Sequence, residues 1–386
     1  MAVPLKYNLR SLRVRWRSTI ATTLGVALVV AVFVMVMSLD RGMRSTYIST
    51  GDVRNLLVLR KGSTAESSSQ ISREEARRIK YTPGIARNSA GMPMASAEII
   101  VLILLDRLDG GNANVQVRGV GPIGLELRPN LRIIEGRMIE PGKRECIVSR
   151  KLADRFAHCR VGDTFHSGKT DWHVVGIFDA QKSAYESEIW VDADEARDVL
   201  KRNFYGPMLL RPVDSAAAAE MTDRMQKDKL LSVKVITETD YYKEQTKSAG
   251  LFQFLASFLA IIMSIGAAFS AMNTMYAAVG ARTREIGTLR VLGFKRREIY
   301  ASILLESVLL SVLGGLLGCL LSLPMNGLAT GTMSATTFAE VAFEFRITPE
   351  LLGKGMVFAM VMGAIGGLLP ARLAARKPVL DALRAV

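Results

Sequence analysis

Four stretches of the chain are almost free of charge, and a long segment of mixed polarity separates the first two. Residues 18–39 form a run of 22 between Arg17 and Asp40. As a helix this run covers about 33 Å, enough to cross a hydrocarbon core. A cleaved signal peptide would carry a shorter apolar region and a small-residue cleavage site. This run instead continues into Met37-Ser38-Leu39-Asp40-Arg41, the pattern of an uncleaved anchor. Residues 248–281 are 34 uncharged positions, more than one span needs, so part is expected to project as a helical stalk. The third run has its apolar part at 307–323, ends at Pro324 and the Gly, Thr and Ser residues beyond, and belongs to a helix that begins near Glu298. The fourth, 355–371, is lengthened by Lys354 reaching outward.

The resulting organisation is a membrane protein of four transmembrane α-helices with a large α+β domain between helices 1 and 2. Its expected parts are an amphipathic segment at 1–17, a first span at 18–39, a large extracytoplasmic domain at 40–250 and a second span at 251–279. A connector at 280–298, a third span at 299–323, a short outer loop at 324–351, a fourth span at 352–371 and a tail at 372–386 complete the chain. Within 4–17, Leu5, Leu9, Leu12 and Trp16 share one helical face and Lys6, Arg10, Arg13 and Arg17 line the other, as an interfacial helix requires.

Charge placement sets the orientation. Of 50 basic and 36 acidic residues (net +14), residues 1–17 hold five basic and no acidic, 280–300 six and two, and 372–386 four and one. The segment 325–350 carries Glu340, Glu344 and Glu350 against Arg346 alone. Basic segments that alternate with the others place both termini and the connector in the cytoplasm and the large domain outside. A nucleic-acid binder would show its basic excess on a folded domain, and here the excess flanks the spans, so no nucleic-acid partner is expected.

Catalytic and metal motifs are scarce. Gly168-Lys169-Thr170 lacks the glycine a P-loop needs five residues earlier and reads as a hairpin turn between strands. His158, His166 and His173 lack metal-ligand spacing, and there is no G-x-S-x-G elbow. No enzyme activity, cofactor or metal is expected of the chain itself. Cys146 and Cys159 share the outer compartment, and whether they pair is open. Glu306 enters the third span; a pairing with a basic residue of the nearby connector is favoured over a transport role. Asn273 offers an interhelical hydrogen bond in the second span, while Gly314 and Gly318, and Gly363 and Gly367, permit close helix approach within the four-helix unit.

In the large domain, 54–60 reads as a strand, 72–81 as a helix, and 97–105 with 114–120 as a hairpin around Asp109-Gly-Gly-Asn112. Further on, 208–211 reads as strand, 215–227 as helix and 232–236 as strand. Two β-α-β units around an inserted middle predict two lobes, with the insertion at about 125–200.

The connector Arg284-Glu-Ile-Gly-Thr-Leu-Arg-Val-Leu-Gly293 is a short helix with Ile286, Leu289 and Leu292 at threes, a possible Arg282–Glu285 pair, and Gly293 just past its end. From spacing alone, a helix that docks on another protein and a turn packed on headgroups fit equally. This segment, with Leu304-Leu-Glu-Ser-Val-Leu-Leu-Ser-Val-Leu-Gly-Gly-Leu-Leu-Gly318 and Leu369-Pro-Ala-Arg-Leu-Ala-Ala-Arg-Lys-Pro-Val-Leu-Asp-Ala-Leu-Arg384, resembles FtsX-like permeases, the membrane subunits of MacB-type ABC transporters. The resemblance covers about 5–50 and 245–386 well and the large domain more loosely.

That resemblance implies a permease of the bacterial inner membrane, paired with a second permease copy and bound to two copies of a separate ABC ATPase, with a possible periplasmic adaptor. Arg284, Glu285, Ile286, Gly287, Leu289, Arg290, Leu292 and Gly293 would form the coupling helix that seats on the ATPase. ATP-driven closure would then move the stalks and the outer domain, as mechanotransmission toward export or extraction of a substrate, with no central pore. Two other readings stay open: a relative that regulates cell-wall hydrolases, and an outer scaffold or sensor without an ATPase.

Overall fold

The computed structural model describes residues 16–167, 170–199, 201–248, 250–334 and 336–377. The amphipathic segment expected at 1–17 falls outside these residues apart from its end, as do residues 378–386 of the tail. The chain divides into two compact units: one of residues up to Arg41, Leu251–Leu328 and Phe345 onward, the other of Gly42–Gly250 and Ala329–Glu344.

Among the described residues, four helices are long and apolar enough to cross a membrane. They are Trp16–Ile48, Gly250–Ala281, Arg296–Ser322 and Pro349–Arg376. Lipid gives helices no hydrophobic reason to associate, so close packing of small residues and local hydrogen bonds must hold them together. The contacts follow that rule. A Cβ on Gly314 or Gly318 would collide with Val26, Ala27 and Val30 of the first span, and one on Gly363 or Gly367 with Ser307 and Ser311 of the third. The Ser307 hydroxyl donates to the Gly363 carbonyl at 2.7 Å. Large side chains of the second span, among them Phe254, Phe258 and Phe269, stay on its exposed face.

The other unit is built on strands. In chain order they are β1 (Leu56–Arg60), β2 (Ile71–Ser72), β3 (Ala95–Ala97), β4 (Ile99–Asp106), β5 (Asn112–Val120), β6 (Arg132–Gly136), β7 (Glu145–Ser149), β8 (Thr164–Ser167), β9 (Thr170–Asp179), β10 (Glu188–Asp192), β11 (Phe204–Tyr205), β12 (Met208–Leu210), β13 (Val233–Thr237), β14 (Ala329–Met333) and β15 (Glu340–Glu344).

Lobe one is a four-stranded sheet in the order β13-β1-β12-β3. Its helices are Arg73–Lys80, started by a Ser72/Glu75 capping box, and Ser215–Lys227, capped by Asp214. Lobe two is a larger sheet in the order β4-β5-β10-β7-β9-β6, with β8 paired to β9. Its core joins Val115, Val117, Cys146, Val148, Phe156, Trp172 and Ile189.

This corrects the placement of the insertion. The β4–β5 hairpin belongs to lobe two, so the inserted part starts near residue 98 rather than 125. The pairing responsible is long-range: β5 runs parallel to β10 with Val117 opposite Ile189, which no local pattern announces.

The outer loop expected at 324–351 holds an antiparallel hairpin, β14 with β15, that packs as part of the lobed unit. The sequence reading contained no strand there. β8 and β9 flank the Gly168-Lys169 turn as expected, with the turn itself outside the described residues. Cys146 and Cys159 are buried free thiols, not a disulfide. Burial pushes both up, that of Cys159 to about 12, so neither is a reactive thiolate at neutral pH.

Candidate coupling site

Between the second and third spans the connector forms a helix at Thr283–Val291. It ends where Gly293 takes φ 95°, a left-handed conformation that glycine adopts without cost. The next helix starts at once, with Glu298 accepting from the Lys295 backbone N–H at 2.7 Å.

The three apolar positions at threes do not share a face. A step of three on a 3.6-residue helix falls short of a full turn by about 60°, so Ile286 and Leu292 lie about 120° apart. Ile286 is buried against Met275, Val279, Ile299 and Ile303. Its buried side chain holds the connector to its own spans. Thr283 and Gly287 are buried on the same side, and Leu289 and Arg290 are half-buried. Arg290 donates to the Phe294 carbonyl at 3.3 Å.

The opposite face presents Arg284, Glu285, Thr288, Val291 and Leu292, with Val291 63% and Leu292 69% exposed. These positions fall at i, i+1, i+4, i+7 and i+8, a single stripe. Two exposed large apolar side chains, rimmed by opposite charges, are what a helix docking in a protein groove presents. Val291 was absent from the expected set.

Arg282 reaches the third span. Its Nη1 donates to Glu306 Oε2 at 3.0 Å, and both side chains are nearly buried. The pair faces a small cavity of about 20 Å³ that Met275, Ile286, Leu289 and Ile303 also line. Lys377, just past the fourth span, donates to the Thr283 hydroxyl at 2.9 Å. The connector is thereby tied to all three spans next to it. Asn273 is exposed on the second span, and its side chain makes no hydrogen bond among the described residues.

The lobed unit contains a buried charge cluster that the sequence did not disclose. Arg118 of β5 is fully buried and donates to Glu66, Glu98 and Glu188 at 2.6 to 3.1 Å. Arg128 holds the other side of Glu98 at 2.5 and 3.0 Å. Burial alone would raise the Glu98 carboxyl, yet the two guanidiniums outweigh it and hold it below the ordinary range. Glu66 has Arg118 alone as a cation, and burial wins there, pushing its carboxyl up. The cluster joins the lobes, since Glu66 follows β1 while Arg118 and Glu188 sit on β5 and β10. A cleft of about 370 Å³ lies beside it, lined by Thr50, Asp52 and Glu238 on one side and by Leu127, Asn130 and Tyr185 on the other.

The histidines are peripheral. His166 Nδ1 lies 2.7 Å from Asp171 Oδ1 on an exposed hairpin, and His173 Nδ1 lies 2.9 Å from the Thr164 hydroxyl.

Comparison with known proteins follows the same division of the chain. Residues 19–228 match the MacB-like periplasmic core domain, and residues 257–379 match the FtsX-like permease C-terminal domain. The macrolide export ATP-binding/permease protein MacB of Pasteurella multocida is 24% identical over 381 residues, covering 94% of this chain and 57% of that protein. Its namesake from Bdellovibrio bacteriovorus is 26% identical, covering 95% and 58%. The uncharacterized ABC transporter permease YknZ of Bacillus subtilis is 34% identical over 143 residues, covering 36% of this chain and 34% of that one. The chain thus spans somewhat over half the length of the MacB proteins it matches. Among solved structures, the periplasmic region of MacB from Actinobacillus actinomycetemcomitans aligns with a TM-score of 0.39 and 12% identity, covering 52% of this chain and 94% of that one. With both domain families matched in the order in which the spans and the lobed domain follow one another, the chain belongs to the FtsX-like permease family, with a MacB-like periplasmic core domain between its first two spans.

Proposed function

We propose that this chain is the permease subunit of an ABC transporter of the bacterial inner membrane, and that it couples ATP hydrolysis by a separate ATPase subunit to movement of its outer domain. The observation that carries this reading is the exposed stripe of the connector helix. Val291 and Leu292 stand out of a helix whose other face is anchored by Ile286 and whose neighbouring Arg282 is paired to Glu306. A rigidly seated helix with an uncovered apolar tip transmits force, whereas a loosely packed turn would absorb it. The names of the MacB relatives join ATP binding to the permease and support the same partner.

In this reading the connector and both termini face the cytoplasm and the lobed domain faces outward, as the positive-inside pattern requires. Two permease copies, alike or related, bind two ATPase copies. The action is export or extraction of a substrate from the outer side of the membrane. Co-purification tests the reading. Leu292→Asp is expected to lose the ATPase from detergent extracts while the lobed domain keeps its protease resistance, and full recovery of the complex would reject the docking role. Topology gives a second check: Lys61 is expected to label from outside spheroplasts and Lys295 is not.

A further inference from the structure

Lobe one and lobe two enter the spans by different routes. The first span leads directly into β1, and β13 leads through the helix Glu238–Ser248 into the second span. β1 and β13 pair along their length, from Leu56 opposite Thr237 to Arg60 opposite Val233. Lobe one is therefore the direct continuation of spans one and two. Lobe two has no such link; its chain enters and leaves through lobe one.

The hairpin β14–β15 supplies one. It lies within the connection between spans three and four, and it is seated on lobe two by charge. Glu340 of β15 is only 4% exposed and accepts from both Arg107, beyond the end of β4, and Arg155. Glu344 at the other end of β15 accepts from Lys182 at 2.8 Å and lies 3.3 Å from Lys151. Between them the Ala342 N–H donates to the Ser187 hydroxyl at 2.7 Å, and Asn114 of β5 donates to the Phe338 carbonyl at 3.2 Å. All six of these partners lie in lobe two. Gly331 leaves room for the arrangement, since a Cβ there would strike the Glu340 carboxylate. The hairpin also touches the roots of the stalks, where Thr336 bonds Gln245 and Glu344 passes against Gly42.

We infer that this hairpin is a second drive line: Glu340 is a positioning residue that clamps spans three and four to lobe two, so that movement of these spans shifts lobe two against lobe one. The physical ground is the cost of parting the contact. An acid buried between two guanidiniums cannot leave them without stranding charge in a dry site, so the hairpin and lobe two move as one body. Two lobes driven by two pairs of spans turn a rocking of the helices into opening or closing of the cleft between them.

The inference rests on the permease reading, and the experiment separates the two. The full chain, with its ATPase in lipid nanodiscs, carries spin labels at Arg78→Cys in lobe one and Lys143→Cys in lobe two; both sites are exposed, and the native cysteines are buried. The distance is measured without nucleotide and with ATP plus vanadate. The unaltered complex is expected to show a nucleotide-dependent shift. Glu340→Arg is expected to lose roughly half or more of that shift while ATP hydrolysis continues, and Glu340→Arg with Arg155→Glu to regain it. If Glu340→Arg yields no folded complex, Lys151→Glu with Lys182→Glu gives the same readout through Glu344. A full shift in a folded variant overturns the drive line alone. No shift in the unaltered complex overturns the permease reading and the inference together.

Discussion

The two units of this protein are held together by opposite means. The lobed domain buries charge: Arg118 and four ionisable side chains around it, Glu66, Glu98, Glu188 and Arg128, sit in its interior, each with an ion-pair partner. Among its described residues the membrane unit buries almost none. Its close contacts are Gly314, Gly318, Gly363 and Gly367 against small residues, and its nearly buried ion pair, Arg282 with Glu306, lies at the connector end of the spans. Water sets the difference. A domain folding in water gains by burying apolar surface and can spare some of that gain to fix a lobe joint with ion pairs. Helices in lipid gain nothing from apolar burial against each other, so they depend on fit. Rigidity in one unit is electrostatic and in the other steric, and each fails in its own way.

The largest effect is expected from breaking the electrostatic joint. Arg118→Leu strands Glu66 and Glu188 in a dry interior and leaves Glu98 to Arg128, at a cost of about 3–5 kcal/mol. Thermal unfolding followed by tryptophan fluorescence measures it, because Trp190 donates to Glu188 at 2.8 Å. A variant as stable as the parent would show that the cluster is not what joins the lobes.

Next comes the steric counterpart. Gly318→Val drives a side chain into the Ala27 carbonyl and Val30 and is expected to destabilise the helix unit by about 1–3 kcal/mol. The readout is denaturation in detergent, with lobe-two tryptophan emission unchanged. Loss of the tryptophan signal in step with the helices would mean that the units are not independent in this respect.

The smallest effect separates the hairpin from both. Glu344 is held below the ordinary carboxylate range: burial raises it, but the Lys182 and Lys151 ammonium groups outweigh burial. A depressed folded value means that its stabilisation is present above the unfolded pKa, about 4.3, and is lost as pH falls through the folded value. The partly exposed contact is worth at most about 1 kcal/mol. Glu344→Gln is therefore expected to lower the melting temperature slightly at pH 7, with the gap to the parent closing below about pH 4. A gap that widens in acid would reverse the assignment.

Legibility in the sequence followed the range of the interactions. The spans were readable because a charge-free run is a local property and the membrane imposes its length. So were the helices at 72–81 and 215–227 and the β4–β5 hairpin, set by neighbours a few residues apart. Arg118 was not, because its three acids lie 20 to 70 positions away and nothing in Val-Gln-Val-Arg-Gly-Val marks the arginine as buried. Glu340 read as an acid of an outer loop, since its arginine partners lie 185 and 233 positions away. At the connector the residue types were readable but not their facing. Ile286 and Leu292 look alike in a string, and only the packing of neighbouring spans tells anchor from tip.

That distinction is where the account is most exposed. A photoreactive amino acid placed at position 292, and separately at 286, in cells that express the chain with its ATPase compares the two faces of one helix. The account predicts a covalent adduct to the ATPase from 292 and none from 286. Adducts from 286, or from neither position, would contradict it.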